Sequence, residues 1–220
     1  MEIGGNRAAA IAGCGARSIA ANAAAQPSAS APASISGMNP APNLFLIGPM
    51  GAGKTTVGRH VAELFRMPFL DLDHEIETHT GAAVGLIFEL EGEAGFRRRE
   101  SAALAGAAAR NGLVLATGGG AVLSADNRRL LRERGFVIWL DAEVDAQLAR
   151  LSRDRQRPLL RAPDRRVRLE QLAAERNPLY AEIADLRLDS VGVGNSMHVA
   201  HDLLDLLEAR WQRGNVPVHA

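Results

Sequence analysis

A strand-like apolar run, Leu44-Phe45-Leu46-Ile47, passes directly into Gly48-Pro49-Met50-Gly51-Ala52-Gly53-Lys54-Thr55 and from there into a helix-like segment. Few local patterns restrict architecture as tightly. Glycines let the backbone turn sharply enough to aim several N–H groups at one anion, and the helix that follows adds the partial positive charge of its N-terminus. The natural guest of such a loop is a polyphosphate. Gly51, Ala52 and Gly53 would contribute amides, and Lys54 a mobile positive charge for the β- and γ-phosphates. Thr55 would place a hydroxyl on a bound Mg²⁺, with Thr56 beside it. A strand and a helix joined in this way belong to α/β proteins with a parallel sheet.

From Asn43 onward, short β-rich runs alternate with longer amphipathic segments, the pattern of a parallel sheet covered by crossover helices. Strands are expected at Asn43 to Ile47, Pro68 to Leu72, Leu113 to Ala116, Phe136 to Leu140 and Leu186 to Asp189. Helices are expected at Lys54 to Phe65, His74 to His79, Val84 to Glu89, Glu93 to Arg110, Ser124 to Glu133 with a serine cap, Glu143 to Leu151, Arg165 to Ala184 and Ser196 to Trp211. Pro178 should interrupt or bend the helix that contains it. Trp139, in a strand, and Trp211, on an apolar helix face, read as core residues.

The chain of 220 residues has room for one α/β domain of roughly 170 to 180 residues plus a tail. Residues 1–41 are rich in alanine, serine and glycine, carry only Glu2, Arg7 and Arg17 as charges, and contain no aromatic ring. Such a segment has too little apolar area to offset its chain entropy and is expected to be a disordered extension. Two other readings stay open: an organelle transit peptide, and a true start at Met38. The expected organisation is therefore 1–41 as extension, 42–213 as the domain and 214–220 as a tail. An Arg-rich, Pro-punctuated loop at about 152–164 reads as a lid.

Basic and acidic side chains balance at 25 each, so no global field draws the chain to nucleic acid or to a membrane surface. No apolar run approaches the ~20 residues of a membrane span. The lone Cys14 excludes an internal disulfide and suits a reducing compartment, which makes the cytoplasm the expected location unless the extension is a plastid address.

Several further clusters carry chemistry. Asp71 and Asp73 stand at i and i+2 at the end of the second expected strand, where alternation puts both carboxylates on one side. Strand ends of this kind face the ligand crevice of an open parallel sheet. Arg97 and Glu100, in Gly92-Glu93-Ala94-Gly95-Phe96-Arg97-Arg98-Arg99-Glu100, share one helix face. They form either a surface ion pair or a guanidinium fork steadied for a substrate carboxylate. Gly118, Gly119 and Gly120 can lie directly under a bound ring. Arg150, Arg153, Arg155 and Arg157 flank or occupy the lid, and Arg176 sits in Arg176-Asn177-Pro178-Leu179-Tyr180 as a second possible clamp.

Taken together and in this order, these segments resemble the shikimate kinase family over nearly all of Asn43 to Trp211. The resemblance implies an α/β, P-loop three-layer fold, nucleoside-monophosphate-kinase-like, with a five-stranded parallel sheet and a mobile lid. It implies ATP-dependent phosphorylation of the 3-hydroxyl of shikimate, with Mg²⁺ as cofactor, no nucleic-acid or membrane partner, and a monomer as default. By the same resemblance Lys54, Asp73 and Arg157 are catalytic, and Asp71 supports the metal beside Thr55. Asp73 binds the ring hydroxyls and orients or deprotonates the attacking one. Arg97, Gly118, Gly119, Gly120 and Arg176 hold the substrate, Glu100 braces Arg97, and Phe88 lines the ring's apolar edge. Arg157 covers the transferring phosphate, and Arg150 packs against adenine. Gly81-Ala82-Ala83-Val84 departs from the family by lacking a hydroxyl residue after the glycine. Two alternatives remain: another small-metabolite kinase of this fold, such as a gluconate kinase, and a nucleotide-binding regulatory module without catalysis.

Overall fold

The computed structural model describes residues 41–152, 164–190 and 196–211, without the side chains of 196–198. The extension at 1–40, the lid core at 153–163 with Arg153, Arg155 and Arg157, and the tail lie outside these residues.

Five strands, β1 (Asn43–Ile47), β2 (Phe69–Asp71), β3 (Val114–Ala116), β4 (Gly135–Asp141) and β5 (Leu186–Asp189), form one sheet in the order β2-β3-β1-β4-β5. Every neighbouring pair is parallel, with Leu46 in register with Ala116 on one side and Ile138 on the other. The helices are α1 (Lys54–Phe65), α2 (Leu72–Thr80), α3 (Val84–Ala108), α4 (Ala125–Arg134), α5 (Val144–Leu151), α6 (Arg165–Ile183) and α7 (Ser196–Arg210).

Strand alternation sorts the core into two layers. Leu44 and Leu46 of β1 with Ile138 and Leu140 of β4 pack on Val57 and Val61 of α1 and Val199, Leu203 and Leu207 of α7. Phe45 and Ile47 with Val137 and Trp139 pack on the opposite side against Phe96 and Leu104 of α3, Leu131 of α4 and Tyr180 of α6. Both faces of the sheet are thus covered, which is why its central strands read as continuous apolar runs. Ala41 is buried in the first layer, and its carbonyl accepts the Trp211 indole N–H at 2.8 Å, so the packed domain includes position 41.

Asn43 fastens the bottom of the sheet. It is fully buried; its amide donates to the carbonyls of Arg110 (2.9 Å) and Arg134 (3.1 Å), and its oxygen accepts from Leu113 N–H (3.1 Å). One side chain thereby ties β1 to the ends of α3 and α4.

Helix ends differ from expectation in instructive ways. α2 begins at Leu72, two residues early, because Asp71 caps it, Oδ1 accepting from the backbone N–H of Asp73 (3.1 Å) and His74 (3.3 Å). Asp73 is therefore in a first helical turn, and strand alternation does not govern where it points. α3 is one element interrupted at Gly92 (φ 68, ψ −179), a conformation glycine alone adopts cheaply, so the expected break between Glu89 and Glu93 is present as a kink. The N-cap of α3 is Ala83, which has no capping side chain; Glu77 of α2 accepts from Val84 N–H at 2.9 Å instead. α6 runs through Pro178 rather than ending there: Pro178 and Ala174, whose carbonyl loses its helical donor, are both exposed, so water can satisfy it.

Candidate active site

The loop between β1 and α1 forms one wall of the site. Gly48 (φ 136), Gly51 (φ 76) and Gly53 (φ 89) all adopt positive φ. Gly48 admits no side chain, since a Cβ there would lie 2.1 Å from the Leu140 carbonyl oxygen. Gly53 opens α1 without a side-chain cap, and no acidic residue occupies the first turn, which leaves that end electropositive. Lys54 is 9% exposed and donates to the carbonyls of Gly48 (2.9 Å) and Pro49 (2.7 Å), curling over the loop it terminates. Ala52 is buried, Thr56 is exposed, and Thr55 donates its hydroxyl to Asp71 Oδ2 at 2.6 Å.

The outer rim of the loop is tied to what flanks the lid segment. Met50 is buried among Leu151, Leu169 and Leu172 of α5 and α6. Arg150 donates to Gly51 O (2.8 Å), Ser190 Oγ (3.2 Å) and Ser190 O (2.7 Å). Its guanidinium thus links the loop to the end of β5, a contact the sequence did not suggest.

The triple glycine after β3 forms the second wall, and it is the meeting point of the other candidates. A Cβ on Gly118 would lie 2.5 Å from Glu100 Oε1 and 3.1 Å from Asp73 Oδ1. One on Gly120 would lie 2.2 to 2.4 Å from the Arg97 guanidinium. One on Gly119 would lie 3.3 Å from Gly48 O and 3.4 Å from Met50 N, so the two loops touch. On the far side, the Gly119 carbonyl accepts from the Tyr180 hydroxyl (2.5 Å) and from Arg176 Nη1 (3.3 Å). The absence of side chains here is a requirement of packing: Asp73, Glu100 and Arg97 stand in the space that Cβ atoms would fill.

Arg97 is held from both ends, Nη1 donating to Glu100 at 2.6 Å and Nη2 to Glu93 at 3.0 Å. Burial opposes its charge, but Glu100 and Glu93 outweigh burial and raise its pKa. For Glu100, fully buried, burial wins: its carboxyl is pushed above its ordinary value, against the pull of Arg97, and Asp73 adds to the rise. Burial also pushes the Tyr180 phenol well up, against the influence of Arg176, so Tyr180 stays a neutral donor. Among the described residues, Arg97 Nε, Arg176 Nε and Glu100 Oε1 are buried without a hydrogen-bond partner. Arg176 Nε has the Glu175 carboxylate at 3.7 Å as an ion-pair partner, and Arg97 Nε and Glu100 Oε1 beside the glycine turn mark a place built to receive a polar ligand. Phe88 is partly buried with its ring 4.5 Å from that of Phe96, on the helix that carries Arg97.

Thr55 and Asp71 offer a hydroxyl and a carboxylate, an oxygen-only pair suited to a hard cation. Among the described residues no group of three or more His, Cys, Asp or Glu gathers, so a metal here would complete its shell with phosphates and water, the habit of Mg²⁺.

Asp71, Asp73, Arg97, Glu100, Arg150 and Arg176 therefore gather about the two glycine loops, while Arg153, Arg155 and Arg157 lie outside the described residues. Two contributors had no assigned role beforehand: Glu93, four residues before Arg97, and Tyr180, four residues after Arg176. Both spacings put the pairs on common helix faces, a signal that was available.

Comparison with known proteins agrees with this geometry. The family model described as shikimate kinase matches residues 50–208. A shikimate kinase of Stenotrophomonas maltophilia is 52% identical over 176 residues, covering 80% of this chain and 97% of that one. A shikimate kinase of Bordetella pertussis is 57% identical over 147 residues, covering 67% and 70%. The solved structure of a shikimate kinase from Acinetobacter baumannii in complex with shikimate matches with a TM-score of 0.75 at 48% identity, over 77% of this chain and 94% of that one. A loop shaped for polyphosphate, packed against a glycine turn ringed by arginines and carboxylates, thus accompanies close relatedness along the whole domain, and the chain belongs to the shikimate kinase family.

Proposed function

We propose that this chain transfers the γ-phosphoryl group of ATP to the 3-hydroxyl of shikimate, giving 3-phosphoshikimate and ADP. The observation that carries the reading is the packing of Gly119 against Gly48 and Met50: an acceptor lying on the glycine turn is next to the phosphates held by the loop. Phosphoryl transfer needs little covalent help, so alignment and charge neutralisation supply most of the catalysis.

Each residue then has a task. Amides of Gly51 to Thr55 and the N-terminus of α1 bind the phosphates, and Lys54 trades its loop carbonyls for phosphate oxygens. Thr55 and Asp71 would hold Mg²⁺, which supplies positive charge to the polyphosphate. Asp73, at the edge of Gly118, orients the acceptor hydroxyl and takes its proton. Arg97, clamped by Glu100 and Glu93, and Arg176, braced on Gly119, offer guanidinium N–H groups to the carboxylate of the acceptor. Arg157 covers the transferring phosphate by family resemblance alone. Two arginines near one glycine turn, with the paired aspartates, favour a carboxylated polyol over a nucleotide, and relatedness to shikimate kinases favours shikimate among such polyols.

An ADP-release assay with Mg²⁺, ATP and shikimate, quinate or gluconate tests the reading. Turnover is expected with shikimate and little with the others. Preference for gluconate would transfer the chain to the rival kinase reading, and nucleotide binding without any turnover would make it a regulatory module.

A further inference from the structure

Tyr180 is 1% exposed, and its ring lies 5.7 Å from that of Trp139, so the side chain is fixed in the core with only its hydroxyl committed to the site. That hydroxyl donates to the carbonyl oxygen of Gly119, and the other side-chain donor to it among the described residues, Arg176 Nη1, stands at the longer distance of 3.3 Å. The chain contains no cis peptide among the described residues. In a planar trans peptide the C=O of one residue and the N–H of the next point in opposite directions. A Gly119 carbonyl held toward α6 therefore turns the Gly120 N–H away from α6, at the residue whose missing Cβ is replaced by the Arg97 guanidinium. A peptide between two glycines has no side chain to resist rotation, so an external anchor is what gives it one direction.

We infer that Tyr180 is a positioning residue: its phenol locks the Gly119–Gly120 peptide so that the Gly120 amide is presented, beside Arg97, to the anionic end of the acceptor. This rests on the acceptor reading above, in which Gly120 already holds the substrate, and adds to it the residue on α6 that sets the direction of that donor. The phenol acts through the peptide it holds.

Tyr180→Phe removes the hydroxyl and keeps the packed ring. The expected result is a shikimate KM raised about five- to twentyfold, as the loss of one aligned hydrogen bond implies, with the ATP KM within about twofold of wild type. The direct readout is the Gly120 amide resonance in ¹⁵N-labelled full-length protein. In wild type it should move on saturation with shikimate, and in Tyr180→Phe that response should shrink. A shikimate KM left within about twofold overturns the inference. So does a raised KM with an undiminished Gly120 response, which would mean that Tyr180 works through Arg176 instead. If the variant does not fold, the wild-type titration decides, because a Gly120 amide indifferent to shikimate removes the presented donor. Wild-type protein that neither binds nor phosphorylates shikimate would refute the acceptor reading itself, a distinct failure.

Discussion

Gly120→Ala isolates the claim that Arg97 occupies a fixed place beside the glycine turn. Gly120 has φ −105 and ψ −1, open to any residue, so alanine introduces no backbone strain. The new methyl would lie 2.2 Å from Arg97 Nη2 and 2.4 Å from Cζ. Ordinary contact begins near 3.5 Å, so the guanidinium must retreat by roughly 1 to 1.5 Å. It cannot do so and keep both bonds, 2.6 Å to Glu100 and 3.0 Å to Glu93. Loss of one charge-assisted hydrogen bond costs about 1.5 to 3 kcal/mol, and a displacement of ~1 Å at a positioned group can cost ~100-fold in rate. Gly120→Ala should therefore raise the shikimate KM about ten- to hundredfold in a coupled ADP-release assay, with the ATP KM almost unchanged. In an Arg97→Ala background the same methyl should add little, because its target is gone. A single variant with wild-type shikimate KM would refute the placement of Arg97, as would full additivity in the double variant.

Other perturbations probe other parts. Lys54→Ala should abolish turnover while leaving the melting temperature within a few degrees, measured by activity and thermal denaturation side by side. Asn43→Ala leaves the partly buried carbonyls of Arg110 and Arg134 and the buried N–H of Leu113 without their partner, and should destabilise the fold by about 1 to 3 kcal/mol in urea titration with kinetic constants of the folded fraction preserved. Glu100 has a folded pKa above its ordinary 4.5, so the folded state holds that proton more tightly than the unfolded chain. Its contribution to stability is fully present below about 4.5 and is lost as pH rises through the raised value. The melting temperature of Glu100→Gln relative to wild type should accordingly climb as pH rises from 4.5 toward neutrality; a constant difference would contradict the assigned cost of burying that charge.

Local chemistry was what the sequence conveyed best. The loop at Gly48 to Thr55, the ends of β5 and α1, and the interruption at Gly92 are each dictated by a few adjacent residues, and each is found where expected. The pairing of Arg97 with Glu100 follows from helix spacing alone. The departures involve competition between neighbours or partners remote in sequence. Asp71 could end a strand or cap a helix, and capping moved Asp73 off the strand. Asn43 meets groups 67 and 91 positions away, and Arg150 meets Gly51 at a separation of 99, so neither role has a local trace. Tyr180 was visible as a helical neighbour of Arg176, but only the fold places its hydroxyl on Gly119.

The most direct examination of the central claim is ³¹P NMR of a mixture of the full-length protein, Mg²⁺, ATP and shikimate. The account requires a new phosphomonoester on the 3-oxygen of shikimate, growing in step with ADP. ADP accompanied only by inorganic phosphate, or no consumption of ATP, would contradict it.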